Sequence, residues 1–138
     1  MSRKHKKKKL KNTEHRAKGI TRERQVKAIV ATDNTFLLYE SEWIGSCLHC
    51  NSAISVTLSG HTAATIEHIV PLSANGTNTL LNTALACARC NNEKGIRHDP
   101  NYPRDQRARQ VIQDLLARRT ARWRNPSFNV DYPVDVDE

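Results

Sequence analysis

All four cysteines of the chain fall into two CxxC pairs, Cys47/Cys50 and Cys87/Cys90, with 36 residues between the pairs and no cysteine left over. Two knuckles of this kind bring four thiolates around one Zn²⁺ at about 2.3 Å each. A chain of 138 residues with 5% aromatic content has a small core, so such a staple helps it fold. Two disulfides in a secreted protein are the alternative. No apolar leader-like segment stands ahead of the knuckles, and the first eleven residues are mostly Lys and Arg, so structural zinc is the expectation. His49 lies inside the first knuckle, and with four Cys available it is read as a bystander.

Charge comes in blocks. Residues 1–28 hold twelve Lys/Arg against two acids, residues 29–86 hold four acids and no Lys or Arg, residues 87–124 hold ten Lys/Arg against four acids, and residues 125–138 hold four acids. Two basic segments therefore flank a neutral-to-acidic centre in a chain of net charge +8. An anionic polymer is the implied partner, because each Lys or Arg that meets a phosphate releases counterions.

The lysine run at the start, within residues 1–19, has no apolar periodicity and reads as a disordered arm. From Thr21 to Ala31 the pattern is helical, with Thr21 as a cap and Val26, Ile29 and Val30 on one face. Asp33 and Asn34 break it, and Phe36 to Tyr39 with Trp43 form an apolar cluster, either a strand or a short helix. Ala53 to Leu58 alternates and is rich in β-branched residues, Ser59-Gly60 signals a turn, and Thr62 to Val70 is extended, which predicts a β-hairpin. Pro71 ends it, Ser73 to Asn78 is a polar loop, and Leu80, Leu81 and Leu85 start a short helical or turn segment. A helix is expected from Cys87 or Ala88 toward Lys94, stopped by Gly95. Arg104 to Arg124 reads as a basic helix with Pro103 and Asp105 at its start, Val111, Ile112, Leu115 and Leu116 on one face, and seven arginines suited to phosphate contacts. Residues 125–138 form an acidic tail.

The stretch Ile66 to Gly95 resembles the HNH family of endonucleases. The family pattern is an acid-His pair with an apolar residue and Pro, a Gly-containing loop, an Asn, then CxxCN followed by a basic residue and Gly. Here these are Glu67-His68-Ile69-Val70-Pro71, Gly76, Asn82, Cys87-Ala88-Arg89-Cys90-Asn91 and Lys94-Gly95. Glu67 departs from the commoner Asp by one methylene. The resemblance covers roughly Cys47 to Gly95 and implies an α+β chain: a small ββα-metal module with a four-Cys zinc site, flanked by an N-terminal helix and a basic C-terminal helix. The expected parts are residues 1–19 as arm, 20–98 as nuclease domain with its motif core at 47–95, 99–124 as basic helix and 125–138 as tail.

Phosphodiester hydrolysis needs an activated water, a Lewis acid on the phosphate, and positive charge near the developing oxyanions. An imidazole with a pKa near 6.5 is suited to take the proton at neutral pH, and hard oxygens of the Glu67 and Asn91 type favour Mg²⁺ or Mn²⁺. The resemblance implies the same assignment: His68 as general base, Glu67 and Asn91 on a catalytic Mg²⁺ or Mn²⁺, and Asn82 fixing the loop that orients the base. Arg89, Lys94 and Arg97 are expected to meet DNA. Adjacent strand residues face opposite ways, so Glu67 and His68 act together only if the strand end twists or bulges. His61 and His98 are read as surface residues. The competing reading is a zinc-stabilised nucleic-acid-binding module that has lost catalysis. No membrane segment or small-molecule cofactor is expected, and the chain reads as cytoplasmic, of prokaryotic or phage origin, or nuclear in a eukaryote.

Overall fold

The computed structural model describes residues 21–97 and 104–133, apart from the side chains of 93–97. Its first element is helix α1, Arg22–Ala31, and Thr21 caps it as expected: its Oγ1 accepts the Arg24 amide at 3.2 Å. Val26, Ile29 and Val30 are buried, and the helix closes where the Thr32 hydroxyl donates back to Ala28 O at 2.9 Å.

The apolar cluster after α1 is a hairpin. Strand β1 (Leu37–Tyr39) pairs antiparallel with β2 (Glu42–Ser46), Leu38 opposite Trp43, through a two-residue turn in which Glu40 takes a φ of 56°. Strand β3 (Ala53–Thr57) is next to β2 on its other side and alternates exposed and buried, turning Ile54 and Val56 to the core.

The expected hairpin between residues 53–58 and 62–70 does not form. The turn at Ser59-Gly60 is present, with Gly60 N–H donating to Thr57 O at 3.0 Å, but the chain then leaves β3. Strand β4 (Thr65–His68) pairs instead with β5 (Thr83–Ala86), in the register Thr65↔Ala86, Ile66↔Leu85, Glu67↔Ala84, His68↔Thr83. All four residues of β5 are buried, so the strand shows no polar alternation from which it could be read. Leu80–Asn82 ahead of it is a single 3-10 turn.

Helix α2 (Ala88–Arg97) follows β5 directly and runs past Gly95, where a stop was expected. The β4–β5 ribbon and α2 are the ββα unit of this α+β fold, with α2 packed on β4. Helix α3 (Gln106–Ala121) is capped by Asp105, whose Oδ1 accepts the Arg107 amide at 2.8 Å. Its Ile112 and Leu115 close over Leu48, Ile69 and Ala84 in a second cluster beside the main core of α1 and the two sheets.

The arginines toward the end of α3 serve the fold. Arg119 is wholly buried and donates from Nε to Leu80 O and Thr83 O (3.1 and 2.8 Å), from Nη1 to Thr32 O (2.9 Å) and from Nη2 to Thr32 Oγ1 (2.8 Å). Loss of hydration pushes its pKa down to about 10, partly countered by Asp33, so it is still a cation at neutral pH. Arg124 donates to Ala31 O and Val30 O at the end of α1. Four of the seven arginines, Arg118, Arg119, Arg122 and Arg124, bind backbone carbonyls, Arg119 wholly buried and Arg118 still exposed. The start of the acidic tail folds back: Ser127 N–H donates to Ala31 O, Phe128 stacks on Trp43 at 5.0 Å between ring centres, and Asp131 meets Arg24 at 3.2 Å. Among the described residues no helix is long and apolar enough to cross a membrane.

Candidate active site

The four cysteines meet as their spacing requires, one knuckle leaving β2 and the other leaving β5 for α2. Their sulfurs all lie within 4.8 Å of one another, and Cys87 Sγ is 3.9 Å from both Cys47 Sγ and Cys50 Sγ. A tetrahedron with Zn–S near 2.3 Å has edges of about 3.8 Å, whereas a disulfide holds its sulfurs at about 2.0 Å. The cysteines are free thiols in a zinc-shaped cluster. Burial pushes the Cys47 and Cys90 thiols up, while hydrogen bonds from Ser52 hold the exposed Cys50 thiol down to about 6. A cation bound among the four sulfurs would hold them as thiolates.

The first knuckle is locked from behind by α3. Arg118 Nη1 donates to Leu48 O and His49 O at 3.1 and 3.0 Å, and Arg122 reaches Ser46 O, Cys47 O and the Asn51 side chain. Asn51 completes the knuckle in the left-handed region at φ 64°, a conformation Asn tolerates. Leu48 N–H donates to Leu85 O, which ties the knuckle to the ribbon.

Glu67 and His68 leave β4 on opposite faces, with regular pairing through both in place of the bulge considered from the sequence, so joint action of the two depends on twist at the strand end, where β4 stops at His68. Glu67 is 1% exposed, and its Oε1 lies 2.5 Å from Nε2 of His49. His49 is thus no bystander. It stays outside the sulfur cluster and supports the acid across the knuckle. His68, on the other face, is half-buried, with Nε2 at 2.6 Å from Asn78 Oδ1.

Asn82 is buried and closes the loop that starts two residues after His68. Its Oδ1 accepts the Val70 amide at 2.9 Å, and its Nδ2 donates to Val70 O and Thr77 O at 3.2 and 2.8 Å. Within this loop Gly76 is obligatory, since a Cβ there would stand 1.9 Å from Val70 O. Asn75 supplies the left-handed step before it, at φ 68°.

Asn91 lies half-buried one residue past Cys90 on α2, the helix packed on β4. Arg89 is exposed in the first turn of α2. The side chains of Lys94 and Arg97, and the whole of His98, lie outside the described residues. His61 is on the surface, near Ser59 and Glu23. Sequence reasoning missed His49, Asn78 and Tyr132. The Tyr132 hydroxyl donates to Asn78 O at 2.6 Å, and nothing local to an acidic tail or a polar loop signals that pairing.

Glu67 carries a carboxylate and Asn91 an amide oxygen, both hard donors, while among the described residues the metal-ligating groups that cluster are the four cysteines.

No curated protein matches the chain, and no solved structure does. The family model for HNH endonucleases matches residues 47–97, a span that opens at the first zinc knuckle and closes with α2. The ββα unit, the paired knuckles and the acid-His strand all fall inside that span, over which the chain is similar to the HNH endonuclease family.

Proposed function

We propose that the chain is a metal-dependent DNA endonuclease, with His68 as general base and Glu67 and Asn91 holding the divalent ion. The observation that carries this reading is the arrangement around one short ribbon. The half-buried imidazole of His68 stands over a loop braced by three Asn82 hydrogen bonds, while the strand's acid and the helix bearing Asn91 pack at the same ribbon. A bare binding module has no physical need for that set together.

In the reaction, water attacks phosphorus, a new P–O bond forms, and the bond to the leaving oxygen breaks. His68 takes the water's proton on its imidazole, and the leaving oxygen is protonated from solvent. A bound Mg²⁺ or Mn²⁺ supplies Lewis-acid stabilisation of the phosphate. Asn82 keeps the loop beside His68 from drifting, and His49 holds the Glu67 carboxylate in one orientation. The Cys47, Cys50, Cys87 and Cys90 zinc is structural. Positive charge for the backbone comes from the N-terminal arm, from Arg89, Lys94 and Arg97, and from Arg104 and Arg107, exposed where α3 begins.

A plasmid-nicking assay in Mg²⁺ or Mn²⁺, with and without EDTA, tests the reading. His68→Ala should lower kcat by roughly 10²- to 10⁴-fold with little change in DNA affinity. Asn91→Ala should raise the metal concentration needed for half-maximal rate. Wild-type DNA binding without cleavage in any divalent metal leaves the binding-module reading standing instead.

A further inference from the structure

We infer that the cleft between α1 and the C-terminal segment, lined by Arg24, Lys27, Asn129, Val130 and Asp131, seats a phosphodiester of the DNA backbone, with Asp131 as the anion that the phosphate displaces. The site lies outside the family-matched span and rests on the reading of DNA as the partner.

Both walls follow from local pattern. On α1 the buried face is made of Gln25, Val26, Ala28, Ile29 and Val30, which leaves Arg24 and Lys27, three residues apart, as neighbours turned away from it. Facing them, Phe128 to Tyr132 alternates: Phe128, Val130 and Tyr132 pack on the main core, while Asn129 and Asp131 stay exposed. This segment is pinned at both ends, by the Ser127 amide on Ala31 O at 3.0 Å and by the Tyr132 hydroxyl on Asn78 O at 2.6 Å. The cleft between these fixed walls has a volume of about 410 Å³, room for on the order of ten waters or for a phosphate group.

Its charges do not cancel. Arg24 and Lys27 face one carboxylate, Asp131, which meets Arg24 at 3.2 Å, and among the described residues Lys27 has no acid within ion-pair distance. The arginine and acid side chains are 46% and 79% exposed, so water screens their pair and an incoming anion can replace the carboxylate. Arg22, by contrast, is taken up by Ala64 O at 2.6 Å. A phosphodiester presents two free oxygens that suit a guanidinium fork and a nearby ammonium, and the Asn129 amide adds N–H donors. A lone phosphate would bind weakly to groups this exposed. A polymer differs, because residues 1–20, directly ahead of α1, carry nine Lys/Arg, and a strand held by them offers its next phosphates to the cleft at high effective concentration.

The experiment uses the full chain, zinc-loaded, with a short duplex of mixed sequence, and reads affinity against salt. Lys27→Ala should lower the slope of log K against log salt by about 0.9, with zinc content and circular dichroism unaltered. Arg24→Ala should weaken binding several-fold. Asp131→Asn should tighten it by about 2- to 5-fold and steepen the slope, because Arg24 then carries a salt anion that the phosphate releases. Acetylation of lysines in the wild-type protein, read by mass spectrometry, requires no variant to fold: the duplex should protect Lys27, and inorganic phosphate at the same phosphate concentration should not. A Lys27 acetylated equally with and without duplex, equal protection by inorganic phosphate, or an Asp131→Asn protein that binds no tighter overturns the inference. A chain that nicks plasmid while Lys27→Ala keeps the wild-type slope refutes the seat and leaves the nuclease reading standing. A chain that cuts no DNA but shows the lowered slope and the protected Lys27 keeps the seat and refutes the nuclease reading.

Discussion

Arg119→Leu removes a charged fork from the centre of the fold while keeping an apolar side chain in its place, and the structure sets what that should cost. Four hydrogen bonds are lost, to Leu80 O, Thr83 O, Thr32 O and Thr32 Oγ1. Two of the acceptors keep another donor, Leu80 O the Thr83 amide and Thr32 O the Arg124 amide. Hydrogen bonds to charged groups contribute about 1.5–3 kcal/mol each, and relieving the burial that pushes Arg119 down to about 10 returns part of the loss. The net is about 3–5 kcal/mol, against a typical domain stability of about 5–15 kcal/mol. For a chain of this size it amounts to a fall in Tm on the order of 10–20 °C, read by circular dichroism on zinc-saturated protein. The slope of DNA affinity against salt should not change, because the guanidinium is wholly inside. Arg107→Ala, exposed on the first turn of α3, should do the opposite: stability within about 0.5 kcal/mol, and a salt slope lower by about 0.9. An Arg119→Leu protein that melts within a few degrees of wild type, or shows a reduced salt slope, would refute the division of the arginines into internal staples and phosphate contacts.

Protein purified without added metal should hold about one zinc per chain by elemental analysis, and Cys87→Ser should lose the zinc together with the fold; disulfides in its place would overturn the assignment. His49→Ala should weaken Mn²⁺ binding, followed by electron paramagnetic resonance, by roughly 10- to 100-fold at unchanged zinc content, and an unaltered Mn²⁺ affinity would leave His49 without a role at Glu67. Deleting residues 1–11, which carry seven Lys/Arg, should reduce the slope of log K against log salt by about 2 to 5 for any DNA sequence and leave cleavage at saturating DNA unchanged. An unchanged slope would show that the arm does not touch DNA.

What could be read from the sequence was local in origin. Thr21 announces α1 because its hydroxyl acts three residues on, and the cysteine pairs announce a metal because two residues of spacing suit one ion. Asn82 could be assigned to the loop only by resemblance to the family, and its three hydrogen bonds fit that role. The partner of β4 could not be read, since β5 is four small or apolar residues buried on both faces and carries no alternation. The arginines misled for a related reason: charge is visible in a sequence, but whether a guanidinium faces phosphate or carbonyl is decided by what α3 packs against. His49 was set aside by counting zinc ligands, a test that cannot detect a hydrogen bond to a residue 18 positions on. Asn78 and Tyr132 meet only after the tail has crossed α1 and β2.

The geometry of the ribbon bears on how the proposed catalytic ion and the sulfur cluster would divide their duties. Thr65 and Ala86 pair at the end where Cys87 begins the second knuckle, and His68 and Thr83 pair at the other end. Three steps of strand separate them, about 10 Å along the ribbon. An ion enclosed by four sulfurs at the first end has no open coordination position and is too far away to polarise a phosphate beside His68. Glu67 lies between the two ends, one residue from His68, and it is linked to the knuckle by His49. The knuckle's own carbonyls are gripped by Arg118 and Arg122 from α3. Rigidity therefore passes from the sulfur cluster to Glu67 through His49, whereas His68 is braced from the opposite side by Asn78 and the tail. In the proposed roles, His68 as base and Glu67 as metal-holding acid would have independent supports, so damage to one should leave the other's geometry intact.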